Sequence, residues 1–339
     1  MDNYFKIFVY FFTFVVATSV SGLCVKIGSK YNLIDSAKLP RIGGLAVLIA
    51  WWFAALFLGF INPTTLLPLV TISAIILLFG LWDAHKPMSS LSQLLIQILI
   101  AVLAVYWGEI GIKYITNPLG GIIDFRAIHF FGLFIPSEII SILWIIFMMN
   151  VINFLDGMDG LAGCVTCVAF IAIGLVSLLP QVNDINTAIA AFTAAVAIMG
   201  FMFWNFPPAS LILGTVGSWF LGFLIAILAI QGATKVATTA VVGAVPLIDA
   251  IIVVIGRLKR GQSPFKGDLT HLHHRLKRRG MSDRLILGIY TTCSILLGLA
   301  AVLLQTRNKV IIFIIFSIFL VFFILIGSYT IKYLKSSPK

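Results

Sequence analysis

Four polar residues in ten carry the strongest chemical signal of this sequence: Asn150-Val-Ile-Asn153-Phe-Leu-Asp156-Gly157-Met-Asp159, followed by Gly160-Leu161-Ala162. Asp156 and Asp159 lie three apart, so one helical turn sets their carboxylates side by side. Such a pair can hold a hard cation such as Mg²⁺, which keeps its waters and bridges to substrate phosphates. A turn built on Asx side chains and an N-cap uses fewer polar groups than this. A second signal is Arg257, Lys259 and Arg260, then Ser263-Pro264-Phe265, Asp268 and His271-Leu272-His273-His274-Arg275. Three of the five histidines of the chain fall within four residues. Such a cluster donates to phosphate oxygens, positions a pyrophosphate or binds metal. Zinc needs more ligands than the nearby Asp268 supplies, so anion recognition is the better reading.

Shorter pieces accompany these two. Asp35 precedes Pro40-Arg41-Ile42-Gly43-Gly44, and Gly80-Leu81-Trp82-Asp83 follows. Later come Asn205 with Pro207-Pro208, and then Gly214-Thr215-Val216-Gly217-Ser218. Alone, each reads equally well as helix packing or a solvated charge. Asp249 lies within an apolar run after Pro246, placed either to pair across helices or to be wetted at a boundary. Cys164-x-x-Cys167 has redox spacing, but no second pair accompanies it, and its context is a hydrophobic helix.

The elements that position these groups follow from composition. The chain has 339 residues, 60% hydrophobic and only 10% charged, with a mean hydropathy of +1.10. Soluble domains are about 45–50% apolar and about 25% charged, so soluble enzymes, disordered tails and disulfide-stapled modules are excluded. Lipid is the solvent that tolerates this surface. Apolar runs fall at 4–25, 42–61, 66–82, 91–107, 138–154, 162–180, 187–203, 211–230, 235–256, 285–304 and 310–331. Each is long enough to cross as a helix, which satisfies its own backbone. The expectation is one all-α polytopic membrane domain over 1–339 with about 11 transmembrane helices. The first run is read as a span and not as a cleaved signal, because Lys26 and Lys30 follow it.

Charge sets the orientation. The net +11 is topogenic here and does not point to nucleic acid. With the N-terminus outside, segments 26–41, 83–90, 155–161, 204–210, 257–284 and 332–339 are cytoplasmic and hold 17 of the 23 Lys and Arg. This favours an outside N-terminus and a cytoplasmic C-terminus. Asp35, Asp83, Asp156, Asp159 and Asp268 then all gather on the cytoplasmic face. A transporter would place its polar groups near the midplane on broken helices, often in two repeated halves, and neither feature is evident.

In order and spacing these pieces resemble the polyprenyl-phosphate N-acetylhexosamine-1-phosphate transferases. The closest branch is that of the bacterial undecaprenyl-phosphate N-acetylglucosaminyl 1-phosphate transferases of the glycosyltransferase family 4 type. The motifs span about 35–280. The resemblance implies ten or eleven helices in the bacterial inner membrane with a cytoplasmic site. It also implies transfer of a sugar-1-phosphate, N-acetylglucosamine-1-phosphate for that branch, from a UDP-sugar to undecaprenyl phosphate. UMP is released, and cell-envelope polysaccharide synthesis, such as that of lipopolysaccharide O-antigen, begins. Implied partners are the UDP-sugar, the polyprenyl phosphate and the bilayer, with no nucleic acid and a homodimer as the candidate assembly. The cofactor is Mg²⁺, with Mn²⁺ as its substitute.

On this basis Asp83, Asp156 and Asp159 are assigned to metal and catalysis. Arg41, His271, His273, His274 and Arg275 are assigned to phosphates, Asn150, Asn153 and Asn205 to orientation, and Asp35 and Asp268 to the substrate site. Two departures stand out. The family pairs aspartates where this chain has Asp83-Ala84, and has an aspartate where this chain has Thr215. Alanine cannot ligate a cation, and a threonine hydroxyl is a weaker neutral ligand. Either Asp83, Asp156 and Asp159 carry the metal, or this copy binds nucleotide-sugar or lipid phosphate, or scaffolds glycan assembly, without turnover.

Overall fold

The protein is described from a computed structural model, over residues 3–35, 38–117, 121–125, 135–231, 233–261 and 270–336. The first helices are α1 (Asn3–Lys30), α2 (Gly44–Leu58), α3 (Pro63–His85) and α4 (Ser90–Val102), the last continued by a π-helical turn over Leu103–Trp107. A small antiparallel hairpin follows, β1 (Tyr114–Thr116) with β2 (Ile122–Asp124), pairing Tyr114 with Asp124. Next come α5 (Ile135–Leu155), α6 (Leu161–Leu178), α7 (Ile185–Asn205), α8 (Gly214–Ile230), α9 (Ala233–Val242) and α10 (Ala244–Lys259). The chain ends with α11 (Leu272–Arg278), α12 (Asp283–Leu303) and α13 (Thr306–Ser336).

Every apolar run of the sequence falls on helix, and local chemistry sets the ends. Pro63 occupies the first turn of α3, where its missing N–H costs nothing. Ser89 and Asp184 cap α4 and α7 by accepting from Ser92 N–H and Thr187 N–H. The run at 235–256 is not one straight helix. Its two halves, α9 and α10, meet at 81°. Gly243 stands at the corner, and Pro246 fits the first turn of α10, where no intrahelical donor is needed.

Among the described residues seven helices are long and apolar enough to cross a membrane, or eight with the bent pair counted as one span. Helices α2 and α8 are shorter. All seventeen residues of α8 are buried, inside a ring that includes α2, α3, α5 and α9. Large apolar side chains face outward instead: Leu56 and Leu303 are 79% exposed and Phe203 is 74% exposed. An aqueous surroundings would penalise that surface, so the protein is a polytopic helical membrane protein.

The start of α8 is fixed by backbone-to-backbone packing. A Cβ on Gly44 would lie 1.9 Å from Gly217 N, and one on Gly80 would lie 2.7 Å from Val216 N. Only glycine lets α2, α3 and α8 approach so closely. Gly214 takes a positive φ of 69°, and a Cβ there would meet the Arg41 carbonyl at 2.0 Å. Gly43 and Gly44 donate their N–H groups to the carbonyls of Ile212 and Leu213. The segment ahead of α2 is thereby tied to the entry of α8.

Candidate active site

These contacts bring the polar motifs to one end of the bundle. The N-termini of α2, α6 and α8 meet there with the C-termini of α3, α5 and α7.

Asp83, on the last turn of α3, is only 2% exposed. Its Oδ1 accepts from Met88 N–H at 2.8 Å and Gln93 Nε2 at 3.2 Å. Its Oδ2 accepts from the Thr215 hydroxyl at 2.5 Å, and Arg41 Nη2 stands 3.7 Å away. The threonine thus sits directly against Asp83. A carboxylate at position 215 would press two buried anions together, which only a proton or cation relieves. Ala84 is buried beside it.

The turn between α5 and α6 carries the other two carboxylates. Asp156 Oδ2 accepts from Gly214 N–H at 2.7 Å, at the start of α8, where N–H groups are free to face an anion. Asp159 Oδ2 accepts from Ala209 N–H at 3.0 Å. Burial pushes the Asp156 carboxyl up to about 7. The Gly214 N–H, the Arg41 charge and the Leu213 N–H pull it back down, and Asp159 adds to the rise. The carboxylate is therefore poised to be compensated by a further positive charge.

The amides serve mainly as braces. Asn205, 3% exposed, accepts from Gly160 N–H and donates to the Leu211 carbonyl. This locks the carboxylate turn to the segment entering α8. Asn153 accepts from the Ser218 hydroxyl at 2.9 Å. Asn150 donates to Gln97 Oε1 and to the Ile146 carbonyl. Asp35 closes its own turn, accepting from Leu39 N–H at 2.8 Å.

The histidines lie across the same turn, although more than a hundred residues separate them from it. A Cβ on Gly157 would stand 3.2 Å from His273 Nε2 and 3.6 Å from His274 Nε2. The His271 ring packs on Phe154 at 4.8 Å between centroids, and His273 stacks beyond it at 6.0 Å. His273 is 2% exposed. Burial, then the neighbouring His274, His271 and Lys277 charges, lower it to about 3. Burial and the same cationic surroundings lower His274. His273 is therefore neutral at pH 7, and any contact it makes with a phosphate is a neutral hydrogen bond. Arg275 spends its Nε on the Thr270 carbonyl, while Arg41 stands 3.7 Å from Asp83 and its charge acts on Asp156. Asp268 lies outside the described residues.

Two site residues escaped the sequence reading, Gln93 and Gln97, while Asp249, read as pairing across helices or wetted at a boundary, pairs with His271. Gln93 and Gln97 share one face of α4, a spacing of four that marks them after the fact. Arg257, 1% exposed, lies 5.9 Å from the Phe154 ring centre, within the basic and histidine-rich motif read for anion recognition. Among the described residues no group of three or more His, Cys, Asp or Glu is gathered for a metal ion. Two carboxylates with waters and substrate oxygens are the set Mg²⁺ accepts. A cavity of about 390 Å³ opens at the other end of the bundle, beside Trp51, Asn62, Glu109, Lys113, Asp184 and Gln231, away from all of these groups.

Residues 66–233 match the glycosyl transferase family 4 model. That span takes in Asp83, Asp156, Asp159, Asn205 and Thr215. Over that span the chain is similar to glycosyl transferase family 4. It is 26% identical to the probable undecaprenyl-phosphate N-acetylglucosaminyl 1-phosphate transferase of Bacillus subtilis, over 92% of this chain and 86% of that protein. It is 36% identical to a putative glycosyltransferase of Streptomyces coelicolor, over 31% of this chain and 28% of that one. It is 31% identical to the undecaprenyl-phosphate alpha-N-acetylglucosaminyl 1-phosphate transferase of Escherichia coli O157:H7, over 36% of this chain and 35% of that one.

Proposed function

We propose that this protein transfers a sugar-1-phosphate, N-acetylglucosamine-1-phosphate, from a UDP-sugar to undecaprenyl phosphate at the cytoplasmic face of the bacterial inner membrane. The observation that carries the reading is the meeting of Asp156, Asp159 and Arg41 with the histidine helix α11 at one end of an apolar bundle. An anionic, water-soluble donor and a lipid-borne acceptor can both reach such a place.

In the reaction an oxygen of the lipid phosphate attacks the sugar-side phosphorus of the donor. The new P–O bond forms as the bond to the inner phosphate breaks, and UMP carries the electron pair away. Both partners are anions, so positioning and charge neutralisation make up most of the catalysis. Arg41, partly exposed beside Asp83 and Asp156, supplies fixed positive charge where the phosphates meet. The backbone N–H groups at the start of α8 hold Asp156 in place, and Asn205 fixes the turn that carries Asp159. A divalent cation, Mg²⁺ or Mn²⁺, would be held by Asp156 and Asp159 and would offset the charge of the two phosphates. His273 and His274 face Gly157 as neutral ring nitrogens, suited to hydroxyls, amides and phosphate oxygens of the donor.

The alternation of helices supports eleven spans with the N-terminus outside. Helix α1 ends at Lys30, close to Arg41, so its start lies at the opposite end from the site. Isotope exchange tests the activity: purified protein, polyprenyl-diphospho-N-acetylglucosamine, labelled UMP and Mg²⁺ should yield labelled UDP-N-acetylglucosamine. No exchange with either cation sinks the reading. A second reading, binding without turnover, is favoured by the Thr215 hydroxyl already occupying Asp83. It predicts donor binding by calorimetry with no exchange.

A further inference from the structure

Asp249 sits in α10, 5% exposed, and belongs to none of the motifs above. Its two oxygens are divided between two donors on the entry of α11. Oδ2 meets His271 Nδ1 at 2.9 Å, and Oδ1 accepts from Leu272 N–H at 2.9 Å. A carboxylate only accepts, so the His271 proton must stand on Nδ1. The other ring nitrogen, Nε2, is buried with no hydrogen-bond partner among the described residues, and so is His273 Nε2. A buried polar atom without a partner costs roughly 1–3 kcal/mol. Two of them on stacked rings, beside the carboxylate turn, mark a place where an outside group is received.

We propose that Asp249 is a positioning residue for sugar-nucleotide binding: it clamps α11 against α10 and fixes the His271 tautomer, so that Nε2 is kept for the donor substrate. The inference rests on the transferase reading for the identity of that donor. The arrangement is the one used to orient ligating or catalytic imidazoles, with a carboxylate behind one nitrogen and the working nitrogen in front. Phe154 and Arg257 complete the support, the ring lying against His271 and the guanidinium lying 5.9 Å from that ring's centre. The nitrogen so kept takes a polar group of the donor: a hydroxyl, an N–H or a phosphate oxygen.

Asp249→Asn tests this, because an asparagine has one acceptor oxygen for two N–H groups of nearly the same shape demand. The expected result is a loss of about ten-fold in kcat/KM for the UDP-sugar, with KM for the lipid acceptor unchanged. In a His271→Ala background the same substitution should cost much less, since it acts through that ring. Selective ¹⁵N-histidine spectra give a readout independent of turnover. The natural protein should show a downfield Nδ1–H signal from His271, lost in Asp249→Asn. Wild-type kinetics in Asp249→Asn, a full loss even in the His271→Ala background, or the absence of that Nδ1–H signal from the natural protein overturns the proposal. If the natural protein shows no exchange, the transferase reading fails alone. The His271 signal and UDP-sugar binding to both proteins then decide the role of Asp249.

Discussion

Asp156 holds its carboxyl in a buried place at the expense of stability. Its carboxyl is held up at about 7, mainly by burial, against an ordinary value near 4. A raised pKa means that its stabilising contribution is complete below the unfolded value, and is lost as pH rises through about 7. Above neutrality the folded protein carries a buried charge that the unfolded chain carries in water. Asp156→Asn removes that burden and keeps an acceptor for Gly214 N–H. The expected outcome is a Tm higher at pH 8, by about 2–4 °C for each kcal/mol recovered, and little changed at pH ~4, the ordinary carboxyl value. Exchange activity should fall more than about ten-fold, since a charge facing two phosphates is gone. Thermal scans of detergent-solubilised protein at both pH values check the first part. A lower Tm at pH 8 contradicts the burial argument. The carboxylates themselves were legible in the sequence, because acids at the ends of apolar spans are costly and so conspicuous. The partner of Asp249 was not. His271 lies 22 residues away in the chain, and nothing in local spacing announces a contact made across two helices. The charge state of His273 was equally hidden, since it depends on burial against the turn at Gly157.

Glycines decide how closely the helices can bring these groups together. The pair Gly43-Gly44 and the run Gly214 to Gly217 read only as generic packing in the sequence. In the fold they set the approach of α2 to α8, and through it the distance from Arg41 to Asp83. Gly44→Ala would drive a methyl into the Gly217 backbone, at 1.9 Å from its nitrogen. Overpacking typically costs about 1–3 kcal/mol, and a rigid backbone neighbour puts this case at or above the upper end. Gly288→Ala in α12 is the control, because nothing lies within 4 Å of the added carbon. The helix gain from alanine is roughly 0.8–1 kcal/mol there. Tm should therefore fall for the first variant and hold or rise for the second, and equal Tm values contradict the packing account. At this scale the length and apolar character of the runs located every long helix, but not the short basic α11. The bend between α9 and α10 was invisible, because a continuous apolar run looks the same straight or broken. Pro246 was its one local signal, and a proline in the first turn of a helix does not by itself announce an angle.

The whole molecule is a bundle whose polar groups are sorted to its ends and whose outer surface suits lipid. The sorting of 17 of 23 basic residues to one side and the gathering of the acids at one end of the helices are independent observations that agree. In the proposed orientation Arg279 and the histidine helix lie inside the cell and Asn183, between α6 and α7, outside. A membrane-impermeant thiol reagent on intact cells should label Asn183→Cys and leave Arg279→Cys unlabelled until the cells are opened. The opposite pattern turns the protein over and removes the site from the cytoplasmic donor. The central claim is narrower still: a phosphorus atom moves with the sugar. Purified protein supplied with undecaprenyl phosphate, Mg²⁺ and UDP-N-acetylglucosamine labelled with ³²P on the sugar-side phosphate answers it directly. The account predicts label in the lipid extract and unlabelled UMP in the aqueous phase. Label retained in released UDP, or left wholly in the unreacted donor, would contradict it.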